Sequence, residues 1–187
     1  MIITLLCEPR SGSTNLANWF RANKDFTVLN EPITNNHPEL SKKGIPPSEW
    51  TYETKYLLVK EILGDWENPQ ELLSISDKII VLYRENEEEQ IESWLHARAT
   101  GNWTKQWDYQ KIEDQVEANL FREVKKEFRD KYLSENYFYV SYEELYYQNG
   151  FQRVVDYLNI EGIRNVGFPY GFRYRSIEGV PRNRELI

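Results

Sequence analysis

A near-continuous apolar run, Ile2 to Cys7, passes directly into Glu8-Pro9-Arg10-Ser11-Gly12-Ser13-Thr14 and then into Leu16, Trp19 and Phe20 at helical spacing. A short apolar run bounded by a turn suits a strand buried on both faces, as in parallel sheets covered by helices. Strand, polar turn and helix form one βα unit, and the chain goes on alternating. FTVLN predicts a second strand ending at Glu31-Pro32, YLLVKEI a third carrying Lys60, and KIIVLY a fourth ending at Arg84. After it, Asn86 is placed to cap a helix, with Glu89 three positions on and Ile91, Trp94, Leu95 and Arg98 at helical spacing. Ile112, Val116, Leu120, Val124 and Phe128 recur every four residues and predict a long amphipathic helix, before YFYVSY supplies a fifth strand. The pattern predicts an α/β fold whose central, mainly parallel sheet is flanked by helices. Ligands then bind at the carboxyl ends of the strands, where the first loop and Arg84 both lie.

With 187 residues, no internal repeat and no linker-like shift in composition, one domain over 1–187 is expected. The segment Asn35 to Ser48 reads as one long loop. A net charge of −7 argues against a general nucleic-acid binder, which needs a basic surface. The single cysteine, Cys7, cannot form an internal disulfide and brings no metal-ligand cluster, so no metal is expected and a reducing compartment fits. The opening apolar run is too short for a membrane span and lacks the basic leader of a signal peptide. A cytoplasmic protein without a membrane span is therefore expected.

The loop after the first strand carries the clearest chemistry. Free N–H groups at a helix start, together with the helix dipole, favour a phosphate or similar anion. Gly12 lets backbone approach closely, Ser11, Ser13 and Thr14 add hydroxyls, Asn15 adds an amide, and Arg10 adds a fixed positive charge. The Walker A spacing and its lysine are absent, which removes support for ordinary ATP or GTP hydrolysis. The same residues also fit a plain polar turn whose Ser or Thr caps a helix.

In context, PRSGSTNL after a buried strand resembles the 5′-phosphosulfate loop of sulfotransferases that use 3′-phosphoadenylyl sulfate (PAPS). LYRENEEEQIESWLHARATGNW is similar to that family's 3′-phosphate element, with Arg84 at the strand end and Ser93 nine residues later. VSYEEL followed by YLNI resembles the strand and helix ahead of the family's C-terminal region, and the bacterial and phage-type branches are the more similar. The resemblance implies a P-loop-like nucleotide-binding architecture, with PAPS as donor and adenosine 3′,5′-bisphosphate (PAP) as product. A sulfuryl group would pass to a hydroxyl or amine of a small-molecule, carbohydrate or other acceptor. One departure is the run Glu87, Glu88 and Glu89 at the start of the helix that carries Ser93, where it complements the helix dipole.

Sulfuryl transfer shares the logic of phosphoryl transfer, in which positioning and charge stabilisation do most of the catalysis. Arg10 would face the bridging and leaving oxygens. The general base is expected to be Glu31, at the end of the second strand beside the donor cleft; the competitor is His37, an imidazole in the long loop. Lys60, inside an apolar strand, calls for a charged partner or a ligand unless its strand edge faces water. Arg173, Tyr174, Arg175 and Arg182 form a basic, aromatic C-terminal stretch that either closes over the nucleotide, Arg175 foremost, or is simply solvated. Trp94, Trp103 and Trp107 serve the core or line an acceptor pocket. Cys7 reads as packing, with no histidine near it in sequence. The competing functions are a nucleotide or small-molecule kinase with an atypical phosphate loop, and an inactive nucleotide-binding module.

Overall fold

The structure is a computed structural model and describes residues 1–33, 45–62, 70–101, 103, 112–133, 136–148, 150–160 and 163. Five parallel strands, β1 (Ile2–Cys7), β2 (Phe26–Asn30), β3 (Tyr56–Ile62), β4 (Lys78–Tyr83) and β5 (Phe138–Ser141), form one sheet in the order β2-β3-β1-β4-β5. The helices are α1 (Ser13–Arg21), α2 (Gln70–Ile75), α3 (Glu87–Thr100), α4 (Gln115–Tyr132), α5 (Tyr142–Tyr147) and α6 (Gly150–Leu158), with a 3-10 turn at Pro47–Glu49.

Strand β1 lies between β3 and β4, so its backbone is paired on both edges, and Ile3, Leu5, Leu6 and Cys7 are completely buried. Alternation along the strand divides the core. Ile3, Leu5 and Cys7 pack with Leu16, Phe20, Leu145, Val154 and Leu158 of α1, α5 and α6. Leu6 points the other way, to Val81, Phe128 and Tyr132 of β4 and α4.

The long helix forms, but its buried face differs from the expected one. Val116 and Leu120 are exposed, and the buried residues are Ala118, Phe121, Lys125, Phe128 and Tyr132. A strict four-residue repeat drifts by about 40° per step on a helix with 3.6 residues per turn, so Ile112 to Phe128 would sweep about 160°. The observed stripe alternates steps of three and four, which holds one side to the sheet. Ile112 itself precedes the helix.

Candidate functional site

The carboxyl ends of β1, β2 and β3 bring together most of the residues that the sequence singles out. Arg10 has φ 60° and Gly12 φ 79°, and this pair of left-handed residues reverses the chain between β1 and α1. Gly12 is the N-cap of α1 and accepts from the N–H groups of Asn15 at 3.1 Å and Leu16 at 3.5 Å. Only glycine fits there. Its φ is left-handed, and a Cβ would lie 2.8 Å from Tyr142 Cδ2 and 2.9 Å from Tyr146 Cε2. Tyr146 also donates its hydroxyl to the Gly12 carbonyl at 2.9 Å. Close approach at Gly12 thus seats α5 against the loop.

Arg10 Nε donates to Ser93 Oγ on α3 at 2.9 Å, and Nη1 donates to the Trp103 carbonyl at 2.7 Å. The guanidinium also lies 5.9 Å from the centre of the Trp103 ring. Two segments 83 residues apart therefore meet at one cation. The loop hydroxyls divide their work. Ser11, fully buried, donates to the Glu8 carbonyl at 2.7 Å and braces the turn; Ser13 is buried beside the Cys7 thiol; Thr14 is exposed.

Glu31 is the second candidate residue with a left-handed backbone, at φ 54°. Its N–H donates to the Lys60 carbonyl at 2.7 Å, and the Lys60 ammonium donates back to Glu31 Oε1. Lys60 is fully buried on β3, so Glu31 is the charged partner that the sequence called for. Positive φ at a non-glycine residue costs of order 1–2 kcal/mol, and such strain gathers at functional sites. Arg10 and Glu31 are two of three such residues described, the third being Asn159 just past α6.

Cys7 joins the two clusters. Burial pushes its thiol up to about 12, partly opposed by Lys60 and by a hydrogen bond with Ser13. A thiol held protonated in this way is packing and not a nucleophile.

Arg84, just past β4, is buried beside a denser set of charges. Its Nη2 donates to Glu89 Oε2 at 2.5 Å, its Nε faces Glu143 Oε1 at 3.8 Å, and its guanidinium stacks 4.5 Å from the centre of the Tyr142 ring. That Nε, like Asn30 Oδ1 beside Glu31, is buried with no hydrogen-bond partner among the described residues. The Arg84 backbone is clamped. Its N–H donates to Glu8 Oε2 at 3.0 Å, and its carbonyl accepts from Arg129 Nη2 at 2.7 Å and Lys125 Nζ at 3.1 Å. Burial lowers the Lys125 ammonium from its usual range, against the pull of Glu8.

Glu8, Gln90 and Arg129 did not emerge from the sequence. Glu8 is fully buried, and its carboxylate accepts from Arg129 Nε at 2.8 Å and from Gln90 Nε2 at 3.2 Å. Gln90 Nε2 also donates to the Pro9 carbonyl at 2.7 Å. The available signal was a carboxylate at the end of an otherwise apolar strand. Trp94 packs on Phe121 with centroids 5.1 Å apart, while Trp103 is 47% exposed over Arg10. His37, Trp107, Arg173, Tyr174, Arg175 and Arg182 lie outside the described residues. Among the described residues, no helix is long and apolar enough to cross a membrane.

No protein-family model matches the chain, and no curated protein matches it in sequence. Among solved structures it is similar to the mouse sulfotransferase SULT7A1 complexed with PAP, at 17% identity and a TM-score of 0.50. The match covers 86% of this chain and 59% of that one, so this chain spans well under two thirds of the sulfotransferase's length. The likeness shows the fold: an all-parallel five-stranded sheet with flanking helices, as in the P-loop-like nucleotide-binding fold of that sulfotransferase.

Proposed function

We propose that this chain is a sulfotransferase that takes a sulfuryl group from PAPS and passes it to a hydroxyl or amine acceptor, leaving PAP. The observation that carries this reading is the meeting of Arg10 and Ser93 at 2.9 Å, which joins the phosphosulfate-like loop to the 3′-phosphate-like helix at the start of α1. PAPS, when bound, supplies a sulfuryl group already activated by its anhydride link to phosphate.

The chain's own residues divide the remaining work. The amides at the start of α1 and the Arg10 guanidinium hold anionic oxygens, so that charge developing on a leaving group meets oriented donors. Ser93 keeps the Arg10 fork aimed, and Arg84, a buried guanidinium just past the carboxyl end of β4, binds the 3′-phosphate. Glu31 takes the proton from the acceptor, with Lys60 as the counter-charge that orients its carboxylate. The fold likeness to a sulfotransferase complexed with PAP supports the choice of donor. The family's bacterial and phage-type branches, a cytoplasmic location, a single domain over 1–187, and roles for His37 in proton transfer and Arg175 in nucleotide contact belong to this proposal.

Calorimetric titration with PAP, AMP and ATP tests the donor site. Wild type is expected to bind PAP at least about tenfold more tightly than AMP, as one added charge-assisted phosphate contact implies. Arg84→Ala is expected to bring the two affinities together. Equal affinities in wild type would remove the 3′-phosphate pocket, and unchanged discrimination in the variant would remove Arg84 from it.

Glu31→Gln tests the base. Glutamine keeps an oxygen that accepts from Lys60 but cannot take a proton, so PAP affinity should stay within about twofold while turnover falls about a hundredfold. Full turnover in this variant, with a defined acceptor, would assign the proton transfer elsewhere.

A further inference from the structure

Arg84 is the cation that the 3′-phosphate needs, yet carboxylates already approach it from two sides. They are held differently. Glu143, 15% exposed, accepts from the N–H groups of Glu85 at 2.9 Å and Asn86 at 3.1 Å, which anchors it to the backbone that leads into α3. Glu89 is 41% exposed, and among the described residues its carboxylate hydrogen-bonds only Arg84. The acidic triplet is therefore divided in function. Glu87 pairs with Arg122 at 3.3 Å and Lys125 at 3.7 Å, and Glu88 with Arg122 at 3.4 Å, so both tie α3 to α4. Helix-dipole complementarity accounts for these two; Glu89 alone turns its charge onto Arg84.

A guanidinium presents its N–H donors in a fixed planar fork, and a carboxylate and a phosphate oxygen bind the same edge. Here one face of that fork is covered by Tyr142, the Nε side is bordered by Glu143, and Nη2 donates to Glu89. We infer that Glu89 is a resident competitor for the 3′-phosphate and sets the selectivity of this site: the phosphate displaces the Glu89 carboxylate into solvent while Glu143 stays in place. The inference rests on the assignment of Arg84 to the 3′-phosphate.

Titration of wild type, Glu89→Gln and Glu88→Gln with PAP and with AMP tests it. Each substitution removes one negative charge from the same helical turn, but Glu88 is 80% exposed and pairs with Arg122 instead of Arg84. Glu89→Gln should tighten PAP binding by about three- to tenfold, the scale of a partly exposed ion pair plus like-charge repulsion, and leave AMP unchanged. Glu88→Gln should leave both within about twofold. AMP binding also reports that each variant is folded. A PAP-to-AMP ratio in Glu89→Gln that equals or falls below wild type overturns the inference, as does an equal gain in Glu88→Gln. If wild type prefers PAP and Glu89→Gln does not change that preference, only the role of Glu89 fails. If wild type and both variants bind PAP and AMP alike, the assignment of Arg84 fails and the competitor with it.

Discussion

Alanine at position 10 is expected to lower PAP release from PAPS by about two to three orders of magnitude, the scale on which a preorganised donor at developing charge acts. It should also weaken PAP binding. Among the described residues, the Arg10 guanidinium is held over the start of α1 by Ser93 Oγ at 2.9 Å, the Trp103 carbonyl at 2.7 Å and the Trp103 ring at 5.9 Å. Lysine should recover only part of the rate, since one ammonium cannot reproduce a planar fork that reaches Ser93 and an anion together. The backbone provides an independent check. At φ 60° alanine keeps the strain that arginine bears, whereas glycine relieves it, so Arg10→Gly should be more stable than Arg10→Ala by about 1 kcal/mol. Both variants should nevertheless be equally slow. Alanine and glycine rates within threefold of wild type would remove Arg10 from the chemistry; slow alanine with fast glycine would trace the effect to backbone strain.

The order of the strands was legible because each apolar run was short and bounded by turn residues, whereas α2 between β3 and β4 was not read from the sequence. FTVLN, YLLVKEI and KIIVLY form strands over the expected spans, and Asn86 accepts from the Glu89 N–H at 3.2 Å as its spacing implied. The buried face of α4 was harder to see, because Val116 and Leu120 are apolar yet exposed while Lys125 is buried. Lys125 enters the core because its ammonium reaches the Arg84 carbonyl and Glu87, and such pairing across elements leaves no mark on hydrophobic periodicity. At the site, the residues with chemistry of their own stood out by type and place: Arg10, Glu31 and Arg84 at or just past strand ends, and Lys60 inside an apolar strand. Their mutual partners did not. That Lys60 meets Glu31 follows from the pairing of β2 with β3, which puts Asn30 opposite Lys60 and Glu31 just beyond. That Glu89 and Glu143 both face Arg84 follows from α3 and α5 starting at the carboxyl ends of the paired strands β4 and β5. Neither register nor adjacency is written in a single sequence.

The carboxylate of Glu8 makes the largest demand on stability. Glu8→Ala leaves Arg129 Nε, the Gln90 amide and the Arg84 N–H without the acceptor they share, in a place where Glu8 itself has no solvent exposure. Removing one partner from such a pair costs about 3–5 kcal/mol when both are buried; because Arg129 is 33% exposed, the low end, about 3 kcal/mol, is expected here. For a chain of this size the melting temperature should fall by about 10 °C. Glu8→Gln keeps an acceptor and loses the charge, so it should lie between alanine and wild type. The double variant Glu8→Gln, Arg129→Gln should be more stable than the sum of the two single losses predicts, by about 1 kcal/mol or more, because each single change leaves the other partner's charge uncompensated. Strict additivity would mean that the two side chains do not stabilise each other. The same carboxylate ties the loop to Arg84: Gln90 bridges it to the Pro9 carbonyl, and Oε2 holds the Arg84 N–H. Loosening Glu8 should therefore weaken PAP more than AMP, since only PAP engages both the loop and Arg84. An equal loss for both ligands would confine Glu8 to the fold.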